Sequence, residues 1–294
     1  MDGVIWFFSI FLAVIFTVFF VLTFVPVFAK WSAYRHSVLI RLDLPSRLQP
    51  AVSARLMTSG RGAVVGGFVF AVVALTAVGL GFSGAADSQS ALWFLLGAVI
   101  AGGTVGTTVA ALTGSRTIPS DSPRVARSSV ATVADYLYPL ERIGARVLVV
   151  LAIAVAIAVG LLSSGDAVFP TVFFAILAVI TLVLFEIGSR RVVDRSQPAG
   201  STGELVWDDA IRTLILRDML VAPLTLGAFA LIMGLAHLLG SDGGPDSLAG
   251  VFPTFIALAV TFYSRASRPQ RYFITRLWPN LRWSDTADTV TDAA

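Results

Sequence analysis

The chain of 294 residues contains no cysteine and only one lysine, Lys30. The lack of cysteine excludes disulfides, thiolate metal sites and a cysteine nucleophile. Because Lys30 lies near the first apolar stretch, a retinal-type Schiff base in a C-terminal helix is excluded as well. These absences exclude several kinds of functional site, but they do not indicate which kind the protein has.

Charged residues are also scarce, at 13% of the chain, compared with about 25% in soluble domains. Hydrophobic residues make up 56%. A chain this apolar cannot bury its side chains in one core and still cover its surface with polar groups, so the bilayer is the better solvent for it.

Seven apolar stretches are long enough, or nearly long enough, to cross a bilayer, which takes about 20 residues in a helix. We therefore predict an all-α, polytopic membrane helix bundle that forms one integral membrane domain over residues 1–294. The predicted transmembrane helices are 4–29, 63–82, 91–112, 143–162, 168–187, 219–240 and 248–263.

The basic residues indicate the orientation of these helices. The three short connections 83–90, 163–167 and 241–247 contain no lysine or arginine, whereas the loops 30–62, 113–142 and 188–218 and the tail 264–294 hold nearly all of them. Because Lys and Arg are retained on the cytoplasmic side, the N-terminus is predicted to be outside and the C-terminus inside. His36 and His237 then lie on opposite sides and cannot share a metal or a haem.

A repeat of about 74 residues is suggested by the tripeptide Gly-Ser-Arg, which ends the third apolar stretch at 114–116 and the fifth at 188–190. The similarity continues into 129–140 and 202–216, which share one apolar register with period 3.6. Both segments are predicted to be cytoplasmic amphipathic helices against the membrane or the bundle, with a break at Pro139. The copies run in the same direction, as parallel two-helix repeats do.

Small residues recur every fourth position in the third stretch, at Ala98, Gly102, Gly106 and Ala110. Such spacing allows two helix backbones to approach closely in a bilayer. We take Gly102 and Gly106 as candidate helix-packing positions.

Arginine and tryptophan at the cytoplasmic ends of the helices and in the tail suit contact with lipid phosphates or a protein partner. The tail sequence RPQRYFITRLWPNLRW is a dense example. We expect the partners to be anionic headgroups on the cytoplasmic side and a membrane or cytoplasmic protein, and we expect no nucleic acid. The candidate contact residues are Arg116, Arg190, Trp207, Arg268, Trp278 and Trp283.

Ionisable residues within the apolar stretches are almost absent, apart from Glu186, which the spacing i, i+4 predicts to pair with Arg190. The one dense acidic group, Glu204, Asp208 and Asp209, is expected on the solvated side of its helix. No phosphate-binding Gly-Lys loop, His-Glu zinc motif or Ser/His/Asp set occurs, so no catalytic, cofactor-binding or metal-binding residue is predicted.

The sequence therefore favours a non-enzymatic subunit, scaffold or sensor of a bacterial plasma membrane, with an arginine-rich, amphipathic cytoplasmic face. The alternative is a transporter or channel for an apolar or amphiphilic solute, which would need no buried charge. A membrane enzyme ranks third, because it would need a carboxylate or histidine cluster at one membrane face.

Overall fold

The computed structural model describes residues 14, 16–79, 88–113, 130–162, 168–195, 199, 201–239 and 271–279. Within these ranges the regular secondary structure is entirely helical, and they contain no strand. The helices are α1 (Phe16–Leu22), α2 (Pro26–Ile40), α3 (Gln49–Gly79), α4 (Ser88–Thr113), α5 (Val133–Tyr136), α6 (Pro139–Leu162), α7 (Val168–Asp194), α8 (Thr202–Leu238) and α9 (Tyr272–Leu277).

Five of these helices, α3, α4, α6, α7 and α8, are long and apolar enough to cross a membrane. A sixth crossing is obtained if α1 and α2, which meet at an angle of 83°, are counted as one span. This is the helix content expected of a multi-pass membrane protein. The seventh predicted stretch, 248–263, lies outside the described residues.

The described part of the first predicted stretch, 4–29, is not one straight helix. α1 ends at Leu22 and α2 begins at Pro26. Proline has no N–H to continue the hydrogen-bond ladder, and it disfavours helical geometry in the residue before it. Val25 accordingly adopts an extended conformation, with φ −78° and ψ 117°. The break follows from Pro26, which the apolar run alone does not reveal.

The predicted helix over 129–140 is reduced to the single turn of α5, and α6 begins at Pro139. Leu137, just after α5, is extended, with φ −114° and ψ 135°. The start of α5 is stabilised by a capping box, in which the carboxylate of Asp135 accepts a hydrogen bond from the backbone N–H of Thr132 at 2.8 Å. Pro139 thus ends one helix and starts the next, where its missing N–H is not needed.

The second predicted amphipathic helix, 202–216, is not a separate element, because α8 continues without a break to Leu238. Every residue of 205–213 is buried, so this segment has no solvated face. The expectation of a solvent-facing side was wrong because other segments cover the polar residues of this part: Asp208 and Asp209 accept hydrogen bonds from Arg55 and Tyr136, and Arg212 donates to the carbonyl oxygen of Val193.

The directions of the helices follow from the pairs of residues that meet. Gly62 and Gly66 of α3 face Gly106 and Gly102 of α4, so these two helices are antiparallel. α4 and α7 are parallel, because Gly97 meets Phe174 and Thr108 meets Gly188. α6 and α8 are also parallel, because Leu148 meets Gly227 and Val155 meets Gly234. α7 and α8 are antiparallel, because Gly188 meets Met219 and Thr171 meets Gly234. The same end of the bundle therefore holds the start of α3, the end of α4, the start of α6, the end of α7 and the start of α8.

Two kinds of core result. Along the apolar part of the bundle, alanine and phenylalanine side chains of α4, α6, α7 and α8 pack together, with the rings of Phe174 and Phe229 5.3 Å apart. At the end where α8 begins, a larger cluster includes Tyr136, Trp207 and Phe273, and charged groups are buried beside it. We call this end the polar layer; its charged residues are Arg55, Glu141, Asp208, Asp209, Arg212 and Arg217.

Candidate functional site: a buried polar layer

Asp208, on α8, is the meeting point of two arginines. One carboxylate oxygen accepts a hydrogen bond from Nη1 of Arg55 at 2.5 Å, and the other lies 3.2 Å from Nε of Arg212. The side chains of Asp208 and Arg212 are 6% and 5% exposed, whereas that of Arg55, on α3, is 34% exposed. The group thus extends from the interior of the bundle to its surface.

Arg212 and Arg195 use part of their hydrogen-bonding capacity at helix ends. Arg212 donates to the carbonyl oxygens of Val193 at 2.7 Å and of Arg195 at 2.5 Å, where α7 ends. Arg195 donates to the carbonyl oxygen of Ala111 at 2.7 Å, close to the end of α4. The last carbonyls of a helix have no partner within the helix and carry its negative dipole end, so both contacts are stabilising.

Asp209, which is completely buried, joins three parts of the chain. Its two carboxylate oxygens accept hydrogen bonds from the hydroxyl of Tyr136 at 2.9 Å and from the indole N–H of Trp278 at 2.8 Å. Tyr136 belongs to α5 and Trp278 directly follows α9. Because these segments are far apart in sequence, Asp209 attaches both of them to α8.

A buried ion pair connects α6 with α8. Oε1 of Glu141 accepts from Nε and Nη2 of Arg217 at 3.1 and 2.8 Å, and both side chains are almost fully buried. A further contact reaches α2 and the loop after it, where the indole N–H of Trp207 donates to the carbonyl oxygen of Asp43 at 3.0 Å and its ring lies 6.3 Å from that of His36. The polar layer, together with Trp207, therefore contacts α5, the segment after α9, the end of α7 and the loop after α2.

The acidic group predicted on a solvated face is mainly internal. Asp208 and Asp209 are buried, and only Glu204, in the first turn of α8, is partly exposed. The sequence contained a signal for this arrangement: apolar residues occupy several sides of the helix, and Asp208 stands four residues before Arg212 as an internal pair.

The pairing predicted for Glu186 was also wrong. Its carboxylate binds Arg146 of α6, with Oε1 at 2.8 Å from Nε and 2.7 Å from Nη2, and not Arg190 on its own helix. Arg190 is exposed on α7. An interhelical partner was not apparent from spacing along one helix.

The other candidate contact residues fall in different environments. Trp207 is 2% exposed and lies inside the protein, so it does not contact lipid. Trp278 is partly buried against Asp209. Arg116, Arg268 and Trp283 lie outside the described residues. Gly102 and Gly106 lie where α4 meets α3, and a Cβ atom on Gly106 would stand 3.0 Å from Cα of Gly66 and closer still to the backbone of Gly62.

The polar layer offers hydrogen bonds and fixed charge, and the described residues contain no group of three His, Asp or Glu side chains placed to bind a metal ion. Along the apolar part, the hydroxyl of Thr108 donates to the carbonyl oxygen of Thr104 at 2.8 Å and that of Thr181 to the carbonyl oxygen of Leu177 at 2.8 Å, so these two are used within their own helices. No family model, curated protein or solved structure matches the chain.

Proposed function

We propose that this chain is a seven-span membrane protein, with its N-terminus outside and its C-terminus in the cytoplasm, that serves as a non-enzymatic subunit or scaffold. The observation that carries the proposal is the attachment of α5 and the segment after α9 to α8 through Asp209. A set of loops held in one arrangement by buried hydrogen bonds presents a defined surface to a partner, and does so without a large loss of entropy on binding.

The packing directions support the proposed topology and repeat. In two parallel repeats of a descending and an ascending helix, α4 corresponds to α7 and α6 to α8. The contacts in which α4 runs parallel to α7, and α6 to α8, agree with that correspondence. The polar layer then lies on the side that carries the basic residues, which is the cytoplasmic side under the positive-inside rule.

The partner surface would be the exposed part of this end. Arg190 and Arg191 near the end of α7 and Arg276 of α9 are exposed, and Arg276 lies 3.7 Å from Asp135 of α5. Exposed arginines above a fixed framework suit an acidic protein surface, and anionic headgroups can contact the same end of the bundle.

One observation favours the alternative, a transporter for an apolar or amphiphilic solute. A groove of about 300 Å³ between α6 and α7 is lined entirely by aliphatic side chains, among them Ile153, Ile157, Val172 and Ile176. Such a lining would accept a hydrocarbon, although a lipid chain of the surrounding bilayer would fill it equally well.

The test is to purify the full-length protein from its own membrane in mild detergent and determine the stoichiometry of co-eluting chains. A subunit is expected to retain one partner in a fixed ratio, and Arg190→Glu with Arg191→Glu should reduce that ratio several-fold. Lys30→Glu, an exposed charge reversal on α2, is the control. A protein that elutes without a stoichiometric partner but carries an amphiphile, and moves it across vesicles, would favour the transporter instead.

Topology is tested separately with reporter fusions. A reporter inserted near residue 165 should be external and one near residue 200 should be cytoplasmic. The opposite location at either point would contradict the seven-span arrangement, whatever the partner experiment shows.

A further inference from the structure

α2 packs against the protein with one side and exposes an apolar stripe on the other. On the packed side the ring of His36 lies 6.3 Å from that of Trp207 on α8; the buried residues of α2 are Ala33, His36, Ser37 and Ile40. The exposed stripe follows helical spacing, and its residues are Val27, Trp31, Tyr34 and Val38. These side chains, which we call the α2 stripe, are between 50% and 75% exposed. An apolar surface of this kind marks a site of contact with a membrane or a protein.

The direction of α2 follows from the packing of α1. Near the start of α1, the ring of Phe16 lies 5.8 Å from that of Phe68 on α3. Just after its end, Nη2 of Arg61 on α3 donates to the carbonyl oxygen of Thr23 at 2.9 Å. α1 therefore lies antiparallel to α3 and alongside it. Because α2 makes an angle of 83° with α1, it runs across the direction of these two helices, in the plane of a bilayer that α3 crosses.

The depth of α2 follows from Arg61, which lies beside the bend. Its guanidinium is 4.0 Å from the ring centre of Phe24, between α1 and α2. Arg61 is also the last charged residue of α3, since residues 62–79 contain none. α2 thus begins at the level where the apolar part of α3 ends, which is the edge of the hydrocarbon layer.

The apolar surface of α1 continues onto α2. Val18, Val21 and Phe24 are each more than half exposed, and so is Val27 after the bend. On a helix that lies along a membrane-spanning neighbour, exposed apolar side chains contact lipid. The lipid that covers α1 is therefore adjacent to the α2 stripe.

The residue types in α2 are those of a helix at a membrane surface. Tryptophan and tyrosine, present as Trp31 and Tyr34, are enriched where hydrocarbon meets water. Lys30 and Arg35 lie beside the stripe and are exposed, and the guanidinium of Arg35 is 5.4 Å from the ring centre of Trp31. The segment 26–42 contains no acidic residue, so its charge is complementary to that of anionic headgroups.

We propose that α2 is an interfacial helix, which inserts the α2 stripe into the boundary between headgroups and acyl chains and binds anionic phospholipid through Lys30 and Arg35. The buried side of α2 connects this contact to α8 at His36 and Trp207. The proposal requires that α3 crosses the membrane, and it does not depend on the role of the protein as a subunit.

The first experiment measures the depth of α2 in the full-length protein reconstituted into vesicles. Because the chain has no cysteine, a spin label can be placed at one position by Val27→Cys or Val38→Cys, at the two ends of the stripe. Both valines are exposed, so neither change should disturb folding. Collision rates with oxygen and with a water-soluble nickel chelate should place both labels about 5–10 Å into the boundary between headgroups and acyl chains, as for other interfacial helices. The control is Val130→Cys, a valine 91% exposed before α5, where the nickel chelate should reach the label.

The second experiment tests the preference for anionic lipid. Photoactivatable phosphatidylglycerol and phosphatidylcholine are compared at equal amounts, and cross-links on α2 are counted by mass spectrometry. Phosphatidylglycerol should give a several-fold higher yield, which Lys30→Gln with Arg35→Gln should remove, because each basic residue near the surface attracts anionic lipid. Arg190→Gln with Arg191→Gln removes the same charge from exposed positions at the same end and should leave the preference on α2 in place.

The outcomes distinguish a lipid from the other occupants of the stripe. Labels at Val27 and Val38 that collide rarely with both reagents would show that a partner or a second copy covers the stripe, and would overturn the proposal. Labels reached as readily by the nickel chelate as the one at Val130 would place α2 in water and overturn it as well. Equal cross-linking yields from the two lipids would overturn the assignment of Lys30 and Arg35 to anionic headgroups.

Discussion

The apolar part of the bundle and the polar layer are held together in different ways. α3 and α4 meet through glycine, with backbone against backbone at Gly62, Gly66, Gly102 and Gly106. The polar layer instead buries carboxylates and guanidinium groups in pairs, as at Glu141 and Arg217. Both arrangements follow from the solvent: between helices in lipid, close packing replaces the hydrophobic effect, whereas charge can be buried only with a partner.

The comparison shows where each part is vulnerable. In the apolar part an added atom is harmful because there is no space for it. In the polar layer a removed atom is harmful because it leaves a charge or a donor unsatisfied in the interior. We therefore expect a larger side chain to destabilise the apolar part and a truncated side chain to destabilise the polar layer.

The largest effect is expected when one partner of the buried pair between α6 and α8 is removed. Arg217→Met leaves the carboxylate of Glu141 buried without its guanidinium and should lower the free energy of unfolding by about 3–5 kcal/mol. The measurement is denaturant unfolding of the reconstituted protein. The double variant Arg217→Met with Glu141→Gln should recover part of this loss in the free energy of unfolding. If its loss equals the sum of the losses of the two single variants, the two side chains do not interact directly.

Asp209 and Asp135 occupy equivalent positions at the 74-residue spacing but have different environments. Asp209→Asn replaces one of two acceptor oxygens by a donor that faces Tyr136 or Trp278, and should cost about 2–3 kcal/mol. Asp135→Asn weakens a helix cap and a largely exposed contact with Arg276, and should cost about 0.5–1 kcal/mol. The measurement is denaturant unfolding of both variants, monitored by Trp fluorescence. Equal losses in the free energy of unfolding would contradict the idea that burial makes Asp209 the more important of the two residues.

The apolar part is tested with two glycines on the same helix. Gly106→Ala would place a Cβ atom against the backbone of Gly62 and should cost about 2 kcal/mol, in the range of overpacked cores. Gly103→Ala is the control, because its Cβ atom would lie 3.6 Å from its nearest neighbour, the carbonyl oxygen of Ala63. Thermal unfolding in one lipid composition should separate the two variants, and similar Tm values would argue against close contact of α3 and α4.

Much of this organisation could be predicted from the sequence because lipid-facing helices require long apolar runs. The boundaries of α4, α6 and the start of α7 lie close to the predicted ones. Gly102 and Gly106 could be selected because small residues at a spacing of four have few other uses in an apolar helix.

The polar layer could not be predicted in the same way. Asp209 looked like a surface residue because its partners, Tyr136 and Trp278, come from segments whose position depends on the whole fold. Periodicity along one helix identifies which residues share a face, but it does not show what covers that face. The same limitation explains why Glu186 was assigned to Arg190, a neighbour in sequence, and not to Arg146 on α6.

The smallest effect is expected at Glu186, which lies between the two parts. Its ion pair with Arg146 is about as exposed as a surface pair, with side chains 34% and 45% exposed. Glu186→Gln keeps the shape of the side chain and one acceptor oxygen, so the loss in the free energy of unfolding should be at most about 1 kcal/mol.

The apolar run of α7 before Glu186 contains no other acidic residue or histidine with which a proton relay could form. Wild type and Glu186→Gln should therefore behave alike in vesicles with an imposed pH gradient. Solute uptake that the gradient drives in wild type and that disappears in the variant, at equal protein level, would make Glu186 a coupling group and favour the transporter over the subunit.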